Sequence, residues 1–404
     1  MKQGYLSEYF KGIAVKSLSA VEADAARSNQ HEFNGVADLK KLFGKSRRTY
    51  DAKFIYLSDN DDEPVVDTGK LTWYDARENH PTRSEYRMYF PTTTVSMCAA
   101  EGDTLFVALR PDDTLLVIIA ENGSTIGNQV RWLFGVDNST HPGFSVREEL
   151  ESEQDRIAFA SRFILEQMGI AVEENETSFL DDMLVRFNGT FPKTREFSEY
   201  ARSTLKDLNA LDDPDVVLMN WMEREEILFR TLERYLISER LNRGFDDDVD
   251  SFIQYSLSVQ NRRKSRVGQA LENHVEQLFV ARGIRYSRTP ITENRSKPDF
   301  IFPGIAEYHN PDFDGRFLTM LGVKSTCKDR WRQVLAEANR IKCKHLLTLE
   351  TAISENQTCE MVANCLRLVV PAGLHYTYTP DQQKILMDMK GFIERVTARQ
   401  NGMF

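Results

Sequence analysis

Residues 297–326 read KPDFIFPGIAEYHNPDFDGRFLTMLGVKST. Two short apolar runs stand in this stretch, KPDFIFPG (297–304) and FLTMLGVKST (317–326), and both predict strands. Pro298-Asp299 opens the first, and Lys324 ends the second, 25 residues after Asp299. Side chains alternate across a strand, so Leu318, Met320, Gly322 and Lys324 fall on one face. Lysine is an odd residue with which to finish an apolar strand; read alone, it snorkels to water at the strand end. On either side of this pair, helix and strand alternate. KSRVGQALENHVEQLFVARG (264–283) predicts a helix closed by Gly283, and KDRWRQVLAEANRIK (328–342) predicts another. KHLLTLE (344–350) and LRLVVP (366–371) read as buried strands, and DQQKILMDMKGFIERVTARQ (381–400) as a closing helix. Such alternation gives an α/β domain with a mixed sheet flanked by helices.

Upstream the pattern changes. AKFIYLSD (52–59), KLTWYDA (70–76), YRMYFPTT (86–93), DTLFVALR (103–110) and DTLLVIIA (113–120) are short strand-like runs separated by polar turns. Residues 1 to about 145 therefore read as a mostly-β barrel or sandwich, with a short helix in VADLKKLFG (36–44). From Ser145 to Asn261 the chain reads as helical and acidic, through SVREELESEQDRIAFASRFILEQMG (145–169) and WMEREEILFRTLERYLISERLNRG (221–244). Thr190-Phe191-Pro192 is the best break. A chain of 404 residues is long for one domain. The expected division is an N-terminal domain over 1–175, a linker over 176–205 and a C-terminal domain over 206–404.

The formal net charge is -10, which taken whole argues against a nucleic-acid protein. The average hides two unlike parts. Residues 148–250 hold 12 Lys/Arg against 26 Asp/Glu, whereas residues 261–345 hold 17 against 9. Five cysteines form no CxxC pair and no zinc spacing, so reduced thiols in a cytoplasmic protein are expected. The first residues carry no apolar secretory segment, and the longest apolar run, Leu115–Ala120, is strand length. No membrane partner is expected.

Asp299 and Lys324 together form the skeleton of the PD-(D/E)XK nucleases. There the Asp and a second carboxylate hold Mg²⁺, and the Lys orients or deprotonates the attacking water. The usual second acid sits two residues before the Lys, and here that position is Gly322. Glu337, on the expected following helix, is a substitute that could reach the same space; alone it reads equally as an exposed helix acid. Glu272, on the earlier helix, is a further candidate. Lys328, Asp329 and Arg330 start the helix after the site. Arg pairs with guanine O6 and N7 and Asp accepts from cytosine N4, so the triplet suits G·C pairs; a charged first helical turn explains it equally well. Arg262, Arg263, Lys264 and Arg266 form a basic run suited to DNA phosphates or to a solvated surface.

The chain resembles the EcoRII-type restriction endonucleases. The resemblance runs through SVQNRRKSRVGQALE (258–272), KPDFIFPGIAEYH (297–309), LGVKSTCKDRWRQVLAEANRI (321–341) and LRLVVPAGLH (366–375), nearly all of the last 150 residues. In that family the second acid is displaced onto the helix after the Lys. The resemblance thus implies Asp299 and Glu337 at the metal, Lys324 at the attacking water and Glu272, in Arg266-x-Gly268-x-x-Leu271-Glu272, as a supporting acid. It places Tyr308 beside the site and assigns Lys328, Asp329 and Arg330 to the outer C·G pairs of CCNGG-like sites. More weakly, the first part is similar to the family's B3-like pseudobarrel, an effector domain that grips a second DNA site with two arms. Matching arm positions are Asn29, Gln30 and His31, then Arg83, Glu85 and Arg87, with Arg77 as a further basic candidate. Family members flip the central base pair, and here Trp221 could stack a flipped base or pack into the core or a dimer.

The function expected is a Type II, and specifically Type IIE, restriction endonuclease. It would be a Mg²⁺-dependent homodimer that hydrolyses double-stranded DNA at a short palindrome, leaves 5′-phosphates and answers to effector DNA at the N-terminal domain. Two other classes remain open: a DNA-binding regulator with an inert nuclease domain, and a structure-specific repair nuclease.

Overall fold

The structure is a computed structural model that describes residues 4–23, 32–36, 38–60, 64–136, 143–172, 177–246, 248–327 and 330–402. The chain divides into two compact units, Met1–Val172 with Ala352–Ser354, and Glu173–Thr351 with Glu355–Phe404.

The first unit is an eight-stranded sheet. Its strands are β1 (Gly12–Ser17), β2 (Glu32–Asn34), β3 (Arg48–Leu57), β4 (Val65–Asp75), β5 (Tyr86–Tyr89), β6 (Thr104–Leu109), β7 (Leu115–Ala120) and β8 (Ser145–Arg147). They run in the order β2-β5-β4-β3-β7-β6-β1-β8. β3 and β7 pair in parallel and all other neighbours are antiparallel. The apolar run Leu115–Ala120 is explained by burial of both faces. Leu115, Val117 and Ile119 enter one core with Leu105, Val107 and Trp73, while Leu116, Ile118 and Ala120 enter another with Phe106, Val130 and Leu165. The sheet curls, because Phe33 on the β2 end and Phe144 beside β8 lie with ring centroids 6.3 Å apart.

Within 145–169 only Phe159–Gln167 is an α-helix, a correction to the long helix expected there. Ser145–Arg147 pairs with Ile13–Val15 of β1, so the backbone is extended. Helical spacing in this stretch was a coincidence of polar and apolar residues that strand pairing overrode.

The second unit is built on a mixed five-stranded sheet of β9 (Ser287–Arg288), β10 (Phe300–Phe302), β11 (Thr319–Lys324), β12 (Lys344–Thr348) and β13 (Leu366–Val369). The order is β13-β12-β11-β10-β9, parallel across β11, β12 and β13 and antiparallel across β9, β10 and β11. Two long helices, Pro214–Arg243 and Val249–Ala281, supply its helical layer. The first starts on an Asp213 cap with Pro214 in its first turn, and Gly244, at φ 74°, follows its end. Phe279 anchors the second to the sheet, 5.4 Å from Phe300, 5.1 Å from Phe302 and 6.3 Å from Phe392. Residues 176–205, read as a linker, hold the helices Leu180–Arg186 and Thr194–Ser203. Their Met183, Phe197 and Tyr200 pack with Leu228, Phe229 and Leu232.

Three further expectations are corrected. The helix expected over 328–342 spans only Trp331–Leu335 among the described residues, and Ala338 takes a φ of 50°. Lys344 Nζ donates to the Leu335 carbonyl and satisfies that early helix end. The closing helix is split into Pro380–Gln383 and Met389–Asn401, because Met387 exchanges backbone hydrogen bonds with Leu368 and Val370 along β13. Finally, Cys343 and Cys365 form a disulfide, with Cα atoms 4.8 Å apart, where reduced thiols were expected. Each precedes a strand, and the register that sets Lys344 against Leu366 brings them side by side. Among the described residues no helix is long and apolar enough to cross a membrane.

Candidate active site

β10 and β11 bring the two motif residues together. Phe300 faces Leu321 across the antiparallel pair, so Asp299 comes opposite Gly322, on the face that carries Lys324. Asp299 is buried, and its Oδ2 accepts from the Val323 amide at 2.6 Å and from Lys324 Nζ at 2.9 Å. Lys324 is thus held by its partner at the strand end rather than left to snorkel.

Gly322 is a tight position for any side chain. A Cβ there would lie 3.0 and 3.3 Å from the two Val334 methyls. Val334 of the short helix fills the space, and Glu337 stands just beyond that helix, in the following turn rather than on the helix itself. Its Oε2 is buried with no hydrogen-bond partner among the described residues. Burial first, then the negative charge of Asp299, pushes the Glu337 carboxyl up to about 7, against the pull of Lys324 and Lys344. Glu272 is raised for the same reasons, burial and then Asp299, and is steadied by Arg288 at 3.1 Å. Glu272 and Glu337 thus both lie within the electrostatic reach of the Asp299–Lys324 pair.

The turn that carries Glu337 is fixed by Tyr308. Its buried hydroxyl donates to both Glu293 oxygens at 2.7 Å and accepts from the Arg340 amide at 3.3 Å. Glu293 also accepts from the Asn339 amide at 3.3 Å. Burial and Glu293 raise Tyr308 to about 12, so it keeps its proton. In this geometry Tyr308 positions the turn. Lys344, Arg288, Glu293 and Val334 are site residues that sequence reasoning missed. Only Lys344 left a signal, as a charge opening the buried strand KHLLTLE.

The residues fit a hard divalent cation. Two acids repel each other, and one buried carboxylate oxygen lacks a partner. Among the described residues no three Asp, Glu, His or Cys side chains are grouped to hold a metal by themselves. Mg²⁺ suits this shortage, since it is commonly bound through one or two carboxylates plus water and substrate phosphate.

Arg330 is exposed and lines an open groove of about 730 Å³ with Ser258, Asn261, Arg262, Lys264 and Ser265. The structure therefore brings the base-reading candidate next to the basic run. Arg263 points elsewhere, to Glu233 at 2.8 Å. Arg266 is corrected: it is buried between the two long helices, paired with Glu225 at 3.4 Å and with Glu226, and faces no phosphate. A buried guanidinium keeps its charge only against such partners. Trp221 is interior too, 5.6 Å from the His274 ring and 5.7 Å from the Arg202 guanidinium, which fits core packing rather than an open stacking platform. Lys328 and Asp329 lie outside the described residues.

Of the arm positions, Asn29, Gln30 and His31 also lie outside the described residues. Arg77, Glu85, Arg87 and Glu32 form a chain of ion pairs at 2.6 to 2.7 Å beside β2, β4 and β5. Arg83 is exposed, with its amide donating to His80 Nδ1 at 3.1 Å.

Residues 229–393 match the family model described as EcoRII C terminal. The chain is 43% identical over 209 residues to the Type II restriction enzyme EcoRII of Escherichia coli, covering 52% of this chain and 51% of that enzyme. It is 28% identical over 113 residues to the Type II restriction enzyme SsoII of Shigella sonnei, covering 25% of this chain and 36% of that enzyme. The chain thus spans about half, or less, of the length of these curated relatives. Two solved structures are similar in part. Metal-depleted Ecl18kI in complex with uncleaved, modified DNA gives a TM-score of 0.46 at 18% identity, over 56% of this chain and 84% of that one. The restriction endonuclease PspGI–substrate DNA complex gives 0.45 at 19%, over 52% and 94%. The stretch that carries Asp299, Lys324 and Glu337 therefore lies inside the part of the chain, residues 229–393, that is similar to the EcoRII C-terminal family model.

Proposed function

We propose that this chain is a Type II site-specific restriction endonuclease, dependent on Mg²⁺ and active as a homodimer on double-stranded DNA. The observation that carries this reading is the Asp299–Lys324 contact with the unpartnered Glu337 carboxylate nearby, inside the stretch that matches the EcoRII C-terminal model. Asp299 and Glu337 would hold the ion. When bound, Mg²⁺ supplies Lewis-acid stabilisation of the charge on the scissile phosphate. Lys324 Nζ orients the attacking water and steadies the hydroxide character that water gains as it loses its proton. The water oxygen bonds to phosphorus in line as the P–O3′ bond breaks; the proton the water loses passes to solvent and the leaving 3′-oxygen takes one from solvent, giving a 5′-phosphate and a 3′-hydroxyl. Glu272 stays beside the pair as a supporting acid.

Arg330, with Lys328 and Asp329, reads the outer C·G pairs of a CCNGG-like site, and Arg262 and Lys264 of the same groove contact phosphate. The first unit, whose curled sheet is compatible with a B3-like pseudobarrel, binds effector DNA through Arg77, Arg83, Glu85, Arg87 and the 29–31 stretch, the Type IIE arrangement.

Digestion of a sequenced plasmid with Mg²⁺, with and without a site-bearing oligonucleotide, followed by end mapping, tests this reading. Discrete fragments with 5′-phosphates and 5′ overhangs are expected, and Lys324→Ala should bind the same DNA without cutting it. Binding without scission by the parent protein would favour the regulator, and structure-dependent fragments the repair nuclease. Specific cutting by Lys324→Ala would overturn the site assignment.

A further inference from the structure

The parallel strands β12 and β13 carry a second feature, on the sheet face opposite Lys324. His345 pairs in register with Leu321 on one side and Arg367 on the other, so these three side chains share the face away from Gly322 and Lys344. A cavity of about 450 Å³ opens there, between β13, the helix Glu355–Ala363 and the helix Met389–Asn401. His345, Arg367 and Arg395 supply its polar wall, while Met361, Leu368 and Leu386 are among its apolar lining. His345 is 98% buried, and among the described residues neither its Nδ1 nor Nε of Arg395 has a hydrogen-bond partner.

The chemistry of an occupant follows from the wall. Burial first, then Arg395, Arg399 and Arg367, push the His345 ring down to about 3, so it is neutral at ordinary pH. Lys384 pairs with Asp381 at 2.7 Å, and Arg367 and Arg395 are the other cations of the wall. Among the described residues no acidic side chain lines the cavity.

We propose that this cavity binds a small organic anion with an apolar body. Arg367 and Arg395 hold its carboxylate or phosphate, and Met361, Leu368 and Leu386 receive the apolar part. Its volume is in the range of small-molecule sites. The site is separate from Asp299, Lys324 and Glu337 and does not depend on the nuclease reading.

Calorimetric titration of the full chain with N-acetyl-L-leucine and with thymidine 5′-monophosphate tests it, and the tighter of the two identifies the head group. Saturable binding of at least one is expected, with the uncharged N-acetyl-L-leucine amide at least about tenfold weaker. Arg395→Met should weaken that binding by about tenfold or more while plasmid cleavage and the melting temperature are kept. If that variant fails to fold, Arg367→Gln at the exposed edge carries the same expectation. Absence of binding by both probes, equal binding of the uncharged amide, or binding indifferent to the folded variants overturns the proposal.

Discussion

Glu337 couples function to stability. A glutamate ordinarily titrates near 4.5, and this one is pushed up to about 7 by burial and by Asp299. Folding therefore favours its protonated form. The stability this provides is full below pH 4.5 and is lost as pH rises through 7. Glu337→Gln keeps the protonated shape. In the absence of divalent cations it should be more stable than the parent near pH 8 by about 1–2 kcal/mol, allowing for solvent screening. Near pH 5 the two should coincide. Urea melts at the two pH values read this directly, and a pH-independent difference would reject the account. Cleavage by the same variant should fall by about a thousandfold or more if Glu337 is the metal ligand proposed above. Asp299 and Lys324 were legible from spacing and strand alternation, and the vacancy at Gly322 pointed to Glu337. Val334 was not legible, because a strand's period tells which face a residue takes but not which helix side chain fills it. Gly322→Asp should collide with Val334 and destabilise the protein by about 1–3 kcal/mol. Gly322→Asp combined with Glu337→Ala should not cut plasmid DNA; restored cutting would show that the strand position is open.

At the scale of elements, the two long helices are joined by charge as well as by apolar packing. Glu225 and Glu226 of Pro214–Arg243 face Arg266 of Val249–Ala281, all buried. Removing one member leaves the others as uncompensated buried charge, so Arg266→Ala should cost about 3–5 kcal/mol in denaturant melts. Arg316→Ala, which breaks a fully exposed pair with Asp314, should leave the melt unchanged. An equally mild Arg266→Ala would mean that the pair contributes nothing beyond a surface contact. The sequence run that contains Arg266 looked uniformly basic and uniformly exposed. On a helix, however, positions 262 and 266 share one face while 263 and 264 point elsewhere, and only contact with the neighbouring helix decides which of them is buried. The same limit explains the split closing helix. Its apolar spacing extended across 381–400, but Met387 is claimed by β13 through hydrogen bonds that local periodicity cannot register. Strands fared better, since β6 and β7 were legible as short apolar runs; that they serve two cores was not, because a run without polar alternation is equally a strand buried on both faces.

At the scale of the whole molecule, the net charge of -10 is the sum of opposed stretches, 12 basic against 26 acidic residues over 148–250 and 17 against 9 over 261–345. The basic stretch contains the groove of Arg262, Lys264 and Arg330, the surface proposed to meet DNA. Acidic side chains tethered by the same chain would compete with phosphate for that groove if they reached it, at an effective concentration that free solutes do not reach. If the acids of the first unit, Glu148 to Glu166, restrain the proposed nuclease in this way, a site-bearing oligonucleotide should raise the cleavage rate of a single-site plasmid, and deletion of residues 1–172 should raise it without the oligonucleotide. The effect is electrostatic, and the Debye length falls from about 30 Å at 0.01 M salt to about 8 Å at physiological ionic strength. The gain on deletion should therefore be largest at low salt and shrink as salt is added, whereas loss of a purely steric block would give a gain that salt leaves unchanged. Initial rates for the full chain and the deletion, compared across a salt series at saturating DNA, separate these outcomes, and equal rates at every salt concentration would remove the competition from the account.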